Sequence, residues 1–384
     1  MQIALKRVYK LKDVIDDIHS GGTPSTKQSE YWGGNLKWLS SGETSNSFIY
    51  ETVEKITEAG VKNSSTKLAK KNDVVLACAG QGKTRGQVSY LEDDMYINQS
   101  VIALTANKSI LDSLYLFYNL KNRYKELRGG SDSSSTRGSI TTTSLKNLYI
   151  ELPPLSVQQK IVSVLHSYDK LIQNHKKQIE NLQNLAGELY KEWFVRFRFP
   201  GHEKASFENG IPAGWKVDKI KNRVKRLSFG KTYKKDEVLT DGEIIVIDQS
   251  ESEYLGYHNG EPSHKATIDE PIALFGDHSC KYELMTRDFS LGENVIPFVS
   301  QNIDVYYLYY AVYKIVETEE YKRHWSLFIN KKILIPEEKL QLMFRKYALS
   351  IKKQTEILSF QITNLSKQRA LLLPRLMSGK LEVK

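Results

Sequence analysis

The sequence predicts an α+β protein: two similar mixed α/β modules, separated by two long helices that pack as an antiparallel coiled coil and related by an internal pseudo-twofold repeat. Three observations predict this fold. Two stretches carry a heptad pattern of apolar residues, the second half of the chain repeats the first, and short strand-like segments alternate with Gly, Asn and Ser turns.

The first heptad stretch runs from about Val157 to Trp193. Alternating steps of four and three residues select Ile161, Leu165, Tyr168, Ile172, His175, Ile179, Leu182, Ala186, Leu189 and Trp193. All of these except His175 are apolar or aromatic, and the residues between them are mostly Gln, Asn, Lys and Glu. So narrow a stripe is typical of a coiled-coil seam. On that seam, His175 is expected to be an interfacial residue and not a metal ligand.

The second heptad stretch repeats the first at a distance of 183 residues, from Ile161 to Phe344. The same steps then select Phe344, Ala348, Ile351, Thr355, Leu358, Ile362, Leu365, Arg369, Leu372 and Leu376. The segments before the helices also align, with Pro153 matching Pro336 and Gln158 matching Gln341. A tandem duplication is therefore predicted, in which each half buries the apolar stripe of the other. The predicted seam residues are Ile161, Leu165, Ile172, Ile179, Leu182, Leu189, Ile351, Leu358, Ile362, Leu365 and Leu372.

The elements of the first half follow in order. An opening segment, VYKLKDVIDDI, leads to a GGTPST turn, and strands are predicted at Leu36, Asp73, Gly86 and Met95, the last as one continuous MYINQSVIAL. A helix is predicted from Ile110, then a loop from Arg128 to Ser144, then the strand NLYIELP. The second half repeats this order from Gly214 with different loop residues. Two similar modules that recognise different targets are predicted from this contrast.

The predicted domains are a first module at 1–154, a first long helix at 155–196, a second module at 197–335 and a second long helix at 336–384. A linker rich in proline and glycine, from Val195 to Gly214, marks the boundary between the halves.

Composition narrows the class of protein. The chain has 384 residues, a formal net charge of +10 and a pI near 9.2, which favours an acidic polymer such as nucleic acid as partner. The two cysteines form neither a disulfide framework nor a metal-ligand set. Neither a signal-peptide core nor an apolar run long enough to cross a membrane is present, so a cytoplasmic protein is expected.

Catalytic motifs are not predicted. The segment ACAGQGKT, from Ala77 to Thr84, has Ala where a phosphate-binding loop needs Gly, and a strand pattern follows it where that loop needs a helix. An adenine methyltransferase needs Asn or Asp before two prolines and an aromatic residue. The segment LPPL at Leu152 has the two prolines but no Asn or Asp before them. Histidines, acids and cysteines do not cluster at metal-ligand spacing. We therefore expect neither a catalytic residue nor a metal site.

Candidate nucleic-acid contacts lie in basic loops. The segment from Lys219 to Lys235 carries eight Lys or Arg residues and no acid, with Phe229 and Tyr233 among them. A solvated helix face would explain such a charge run, but at the start of a module in a basic chain it favours phosphate contacts. The DNA-binding residues predicted in the second module are Lys225, Arg226, Lys231, Tyr233, Lys234, Lys235, His278 and Lys281. Those predicted in the first module are Thr23, Ser25, Gln81, Lys83, Arg85, Arg128 and Arg137.

These motifs together resemble the DNA-specificity subunits of type I restriction-modification systems, over essentially the whole chain. The resemblance rests on GGTPS, WLSSGE at Trp38, AGQGKTRGQVSYLEDDMYINQSVIAL, and the segments ELPPLSVQQKIVSVL and ELYKEWFVRFRFPG at the two ends of the first long helix. The second copy departs from the pattern, because IPEEKLQLMF keeps one proline and lacks the Gln-Lys-Ile triplet.

The resemblance implies a non-catalytic subunit that reads a bipartite, asymmetric sequence in double-stranded DNA, one half-site per module. Its implied partners are two modification subunits, docked on the exposed sides of both helices, and motor-nuclease subunits. S-adenosylmethionine, ATP and Mg are then bound by those partners, and no cofactor by this chain. Two alternatives remain open at this point: a stand-alone sequence-specific DNA-binding regulator, and an enzyme whose site has no recognisable motif.

Overall fold

A computed structural model describes residues 6–80, 82–132, 138–250, 254–319 and 322–383. The chain forms two compact units. Unit 1 comprises residues 1–172 and 363–384, and unit 2 comprises residues 173–362. Each unit therefore contains one globular module and a part of each long helix.

In chain order the strands described in unit 1 are β1 (Arg7–Lys10), β2 (Ile15–Ser20), β3 (Trp32–Leu39), β4 (Phe48–Ile49), β5 (Glu54–Ile56), β6 (Lys67–Ala69), β7 (Val74–Ala77), β8 (Val88–Leu91), β9 (Met95–Ile97), β10 (Val101–Ala106) and β11 (Tyr149–Leu152). Strands β2, β10, β7, β8 and β4 form one sheet in that order, β5, β3, β9 and β6 form a second, and β1 pairs with β11.

The short helices of unit 1 are α1 (Glu58–Lys62), α2 (Ser113–Asn122), α3 (Tyr124–Asp132) and α4 (Thr142–Lys146). The prediction of one helix from Ile110 is corrected, because Asp112 caps the start of α2 and the helical path breaks at Arg123. The predicted loop from Arg128 to Ser144 is also corrected. Helix α3 extends into it, and a capping box of Thr141 and Ser144 starts α4 at its end.

The segment MYINQSVIAL forms two strands in different sheets, β9 and β10, where the sequence predicts one. Asn98 stands between them, and its side-chain oxygen accepts a hydrogen bond from the Ser100 backbone N–H at 3.0 Å. This local hydrogen bond gives the backbone an alternative to the strand ladder, so the chain turns from one sheet into the other.

The long helix α5 (Leu155–Tyr190) begins in unit 1, and the long helix α8 (Glu338–Ser378) ends there. Leu376 and Met377 of α8 share the core of unit 1 with Ile161 and Leu165 of α5. Further along α5, the Asp169 carboxylate contacts the Arg369 guanidinium, which lies earlier in α8. The two helix segments of unit 1 are therefore antiparallel.

In chain order the strands described in unit 2 are β12 (Phe207–Glu208), β13 (Ile211–Pro212), β14 (Lys216–Lys219), β15 (Val224–Arg226), β16 (Ile244–Ile247), β17 (Gly256–His258), β18 (Ile272–Gly276), β19 (Tyr282–Met285), β20 (Phe289–Leu291), β21 (Val295–Ser300) and β22 (Lys332–Ile335). Strands β15, β21, β18 and β19 form one sheet in that order, β17, β16 and β20 form a second, and β14 pairs with β22. This strand order repeats that of unit 1 with one strand fewer in each of the two larger sheets, and β12 and β13 form an additional pair. One parallel pair recurs, as β3–β9 in unit 1 and β16–β20 in unit 2, and unit 1 has a second parallel pair, β4–β8.

The helices of unit 2 are α6 (Val305–Val312), α7 (Trp325–Asn330), the end of α5 and the start of α8. A π-helical turn, Lys191–Val195, follows α5 and places Trp193 and Phe194 in the core. The ring centroids of Trp193 and Phe344 are 6.2 Å apart. Gln183, earlier in α5, and Thr355, later in α8, line a common cavity, so the helix segments of unit 2 are antiparallel as well.

The fold class predicted from the sequence is confirmed, since both units combine mixed sheets with antiparallel long-helix segments. Every predicted seam residue is buried or half-buried, from Leu165 at 0 % exposure to the half-buried Leu182 and Leu358. The predicted domain boundaries place each long helix in a domain of its own, and that division stays a prediction.

Candidate nucleic-acid interface

The GGTPST turn of the first module is held close to the sheet. A Cβ atom on Gly21 would lie 1.8 Å from the Ile97 carbonyl oxygen, so a side chain does not fit there. The Trp38 indole donates to the Gly22 carbonyl at 3.2 Å, and the Trp32 indole donates to the Ser25 carbonyl at 3.2 Å. The turn is therefore rigid, and it presents an exposed Ser25 and a half-buried Thr23.

The glycine-rich hairpin between β7 and β8 carries Lys83 and Arg85. Thr84 is followed by a turn and strand β8, not by a helix, so the hairpin lacks the helix N-terminus of a phosphate-binding loop. The Arg85 guanidinium donates to the Gly138 carbonyl at 2.5 Å, and Lys83 is exposed. Gln81 lies outside the described residues.

Helix α3 supports this hairpin from one side. The Tyr124 hydroxyl donates to the Lys83 carbonyl at 2.9 Å, and the Arg128 guanidinium donates to the Gly82 carbonyl and, at 3.0 Å, to the Tyr124 hydroxyl. Arg128 thus orders the hairpin that presents Lys83. Arg137 lies outside the described residues.

Gln99 joins the turn to the hairpin, and sequence reasoning missed it. The Thr23 hydroxyl donates to the Gln99 side-chain oxygen at 2.5 Å, and the Cys78 thiol, at the base of the hairpin, contacts the Gln99 carbonyl at 3.6 Å. Gln99 is exposed. Its position in the INQS turn between two strands is the signal that could have identified it, because exposed amide side chains at strand ends suit base-edge contacts.

The basic segment of the second module presents its cations over aromatic rings. The Arg226 guanidinium lies 4.7 Å from the Phe229 ring centroid, and the Lys231 ammonium lies 4.5 Å from that of Tyr233. Exposed cations fixed in this way keep their charge available for phosphate groups. The exposed residues of the predicted set are Lys225, Arg226, Lys231, Lys234 and Lys235.

Tyr233 differs from its basic neighbours because its side chain is buried, with 8 % exposure. It stacks on His258 with ring centroids 4.4 Å apart. In this conformation the Tyr233 ring lies against Lys231, and the DNA contact predicted for Tyr233 stays a prediction. The alternation of lysines with one aromatic residue did not reveal that the ring faces inward.

His258 is held neutral beneath this segment. Burial lowers the pKa of its imidazole, with Lys231 acting in the same direction. Its Nδ1 accepts a hydrogen bond from the Gly260 backbone N–H at 3.0 Å, which leaves the proton on Nε2, 2.8 Å from the Ser290 hydroxyl. The basic segment therefore packs on an uncharged His258 side chain that is hydrogen-bonded through both ring nitrogens.

His278 and Lys281 lie in the hairpin between β18 and β19, which corresponds to the glycine-rich hairpin of the first module. The His278 backbone N–H donates to the Gln249 side chain at 3.0 Å, and the Lys281 ammonium lies 3.5 Å from a Glu283 carboxylate oxygen. Both side chains are half-buried. They belong to a different loop from the basic segment, as Lys83 and Thr23 belong to different loops in unit 1.

Within the described ranges, no group of three or more His, Cys, Asp or Glu side chains is placed to hold a metal ion. Across the same ranges, every helix is too short or too polar to cross a membrane.

Comparison with known proteins identifies relatives of this chain. Residues 5–184 match the sequence family described as type I restriction modification DNA specificity domain. The specificity subunit of the type I restriction enzyme MjaIX, from Methanocaldococcus jannaschii, is 34 % identical over 225 residues. These residues are 56 % of this chain and 50 % of that protein. The EcoR124I/EcoR124II specificity subunit of Escherichia coli is 27 % identical over 205 residues, covering 52 % of this chain and 50 % of that subunit. The chain thus spans about half the length of these curated relatives.

A solved structure shares the fold over almost the whole chain. The S subunit of the type I restriction-modification system from M. genitalium superposes with a TM-score of 0.60 and 15 % identity, covering 97 % of this chain and 96 % of that one. The resemblance to type I DNA-specificity subunits predicted from the sequence motifs is thereby confirmed.

Proposed function

From the match of residues 5–184 to the type I restriction modification DNA specificity domain, we propose that the chain is the DNA-recognition subunit of a type I restriction-modification complex. It reads a bipartite, asymmetric target in double-stranded DNA, one half-site with each module. It acts as a non-catalytic subunit in the cytoplasm. Methyl transfer with S-adenosylmethionine and ATP-driven cleavage with Mg belong to partner subunits.

The observation that carries this proposal is the repeated scaffold with unlike exposed loops. Both modules share one four-strand order, β2, β10, β7 and β8 in unit 1 and β15, β21, β18 and β19 in unit 2. The turn that presents Ser25 in the first module corresponds to residues Arg226 to Lys235 of the basic segment in the second. A common frame with different side chains at the same place suits two half-sites of different sequence.

A helix of about 35 residues is roughly 50 Å long, more than the rise of about 34 Å in one turn of DNA. We propose that the target is gapped, with unread bases between the two half-sites.

The modification subunits dock on the exposed faces of the long helices. In unit 1, Leu171 and Leu371 are 47 % and 67 % exposed, and in unit 2, Leu185, Ile357 and Phe360 are 59 %, 59 % and 68 % exposed. Large apolar side chains on otherwise polar helices favour a protein partner, because burying them is stabilising.

The proposal is tested by mapping N6-methyladenine in cells that express this chain with its neighbouring modification subunit, against cells that express the modification subunit alone. Methylation at a gapped two-part motif, present only with this chain, is the expected result. Exchange of residues 1–154 for those of a relative should then change one half-site and leave the other unchanged. A stable complex without new methylation would favour the stand-alone DNA-binding regulator instead.

A further inference from the structure

Unit 2 contains a groove with a volume of about 530 Å³ between α5, α6 and α8. Its wall is aromatic, with Tyr306, Tyr309 and Tyr310 on α6 and Tyr313 directly after that helix. Gly187 of α5 and Lys352 of α8 also line the groove. We call this space the tyrosine groove.

The duplication provides an internal comparison for the groove. Positions in α5 correspond to positions 183 residues later in α8. Positions in α2 correspond to positions in α6 when their N-capping residues, Asp112 and Asp304, are aligned. By these shifts, the counterparts of Tyr310, Tyr313, Lys352 and Ala186 are Tyr118, Lys121, Asp169 and Arg369.

The corresponding space in unit 1 is filled. The Tyr118 hydroxyl donates to one Asp169 carboxylate oxygen at 2.6 Å, and the Arg369 guanidinium donates to the other. The Asp169 side chain is only 4 % exposed. Lys121 lies beside this pair, and burial lowers the pKa of its ammonium to about 8, with Arg369 acting in the same direction. This network closes unit 1 with its own side chains.

Unit 2 lacks each charged member of that network. Lys352 stands where the first unit has Asp169, and Ala186 stands where it has Arg369, so the guanidinium that fills the space has no equivalent. Gly187 removes a second side chain, and a Cβ atom built on it would meet no atom within 4 Å. The tyrosine groove, lined by Tyr310, Tyr313 and Lys352, therefore lies where unit 1 has Tyr118, Lys121 and Asp169 of its closed network.

The rim of the groove favours an anionic guest. Three cations, Lys191, Lys314 and Lys352, line it with one acid, Glu188, and a second acid, Glu356, lies beside Lys352. The Lys191–Glu188 and Lys352–Glu356 ion pairs, at 2.7 Å and 3.4 Å, are partly exposed. Exposed pairs of this kind are weak, so their lysines remain able to bind another carboxylate.

The walls favour a guest that also carries an apolar or aromatic side chain. Tyr309 stacks on Tyr282 with ring centroids 5.0 Å apart, and Tyr310 stacks on Tyr190 at 6.3 Å. Rings fixed by such contacts form a preorganised surface, and little conformational entropy is lost when a guest packs on it.

We propose that the tyrosine groove binds an acidic segment of a partner protein, which places a carboxylate at Lys352 and an apolar side chain on the tyrosines. The inference rests on the proposed function, and the partner is the modification subunit that docks on unit 2. Because unit 1 fills its own groove, the two modification subunits are held unequally, and the one on unit 2 has an additional anchor.

The test uses Gly187→Leu, which places a side chain in the groove while raising the helix propensity of α5. The full chain is purified with its co-expressed modification subunit, and the subunit ratio is measured by native mass spectrometry over a dilution series. Two modification subunits are expected on the wild-type chain. The variant should release one of them at a concentration at least tenfold higher than the wild type does.

Two further variants keep the test decisive. Ala370→Leu alters the matching position of unit 1, where the groove is already filled, and should leave both subunits bound. Lys352→Asp, at a half-buried position that lines the groove, replaces the cation that would hold the guest's carboxylate, so it should fold normally and still release one subunit. Circular dichroism and a melting temperature no lower than that of the wild type verify folding.

A Gly187→Leu complex that holds both subunits as tightly as the wild type would overturn the inference and leave the proposed function intact. Weaker DNA binding by the free variant, with an unchanged complex, would overturn it in favour of a nucleic-acid guest. A wild-type chain that binds no modification subunit and yields no gapped methylation would contradict the proposed function itself.

Discussion

The side-chain oxygen of Gln158 accepts a hydrogen bond from the backbone N–H of Asp112 at 3.0 Å. Its amide nitrogen donates to the carbonyls of Ile110 and Pro153, both at 2.9 Å. Gln341 repeats the arrangement in unit 2, accepting from Asp304 at 2.8 Å and donating to Pro336 at 2.8 Å. In each unit, one buried glutamine in the first turn of a long helix therefore binds the N-terminus of a shorter helix, α2 in unit 1 and α6 in unit 2.

Replacement of Gln158 with leucine should lower the free energy of unfolding by about 2 kcal/mol, because it leaves buried backbone groups without a partner. Urea unfolding followed by circular dichroism measures the loss. The matched control is Gln159→Leu, at the exposed neighbouring position, which should change stability by less than about 0.5 kcal/mol. Equal effects of the two substitutions would show that the Gln158 hydrogen bonds contribute little.

The long helices and the duplication were predictable because both depend on sequence periodicity. Residues from Ile161 to Trp193 keep one apolar face at the heptad spacing, and that spacing alone specifies a helix with a buried stripe. The alignment of Gln158 with Gln341 predicted that the two helices begin alike. The hydrogen bonds to Asp112 and Asp304 give that alignment a physical reason.

Features set by tertiary contacts were not predictable. Tyr233 lies within a basic run, so only its stacking on His258 shows that it faces inward. Gln99 gains its place from Thr23, a residue 76 positions away in the sequence. Local composition reports which residues are polar, whereas distant partners decide which of them reach the surface.

The Asp169–Arg369 pair should be strongly coupled, since the Asp169 carboxylate is 4 % exposed and the Arg369 side chain 22 % exposed. Arg369→Met should lower the free energy of unfolding by about 3 kcal/mol, because it strands a buried charge. The double variant with Asp169→Leu should lose less than the sum of the two single variants. A double-mutant cycle by chemical unfolding measures this coupling, and additive losses would contradict it.

Lys121 should make stability depend on pH. Burial lowers the pKa of its ammonium from 10.5 to about 8, so between those values the unfolded chain binds more protons than the folded protein. The contribution of Lys121 to the free energy of unfolding therefore increases as pH rises through about 8 towards about 10. Unfolding of the wild type and of Lys121→Met is compared from about pH 7.5 to about pH 9.5, below the ordinary titration of tyrosine. The wild type should gain stability relative to the variant across this range. If the free energies of unfolding of the two proteins change in parallel with pH, the lowered pKa of Lys121 is refuted.

The cations of the basic segment should contribute to DNA affinity by neutralising phosphates. Lys234→Ala combined with Lys235→Ala should weaken binding at every sequence by a similar factor. It should also reduce the slope of log affinity against log salt concentration by about 2, roughly 0.9 for each phosphate that a lysine no longer neutralises. Fluorescence anisotropy with a duplex carrying the methylation motif, over a salt series, measures both quantities. Lys216→Ala, which removes an exposed cation of β14, is the matched control. A slope that stays unchanged, with weaker affinity at one half-site sequence only, would show that these lysines read bases rather than phosphates.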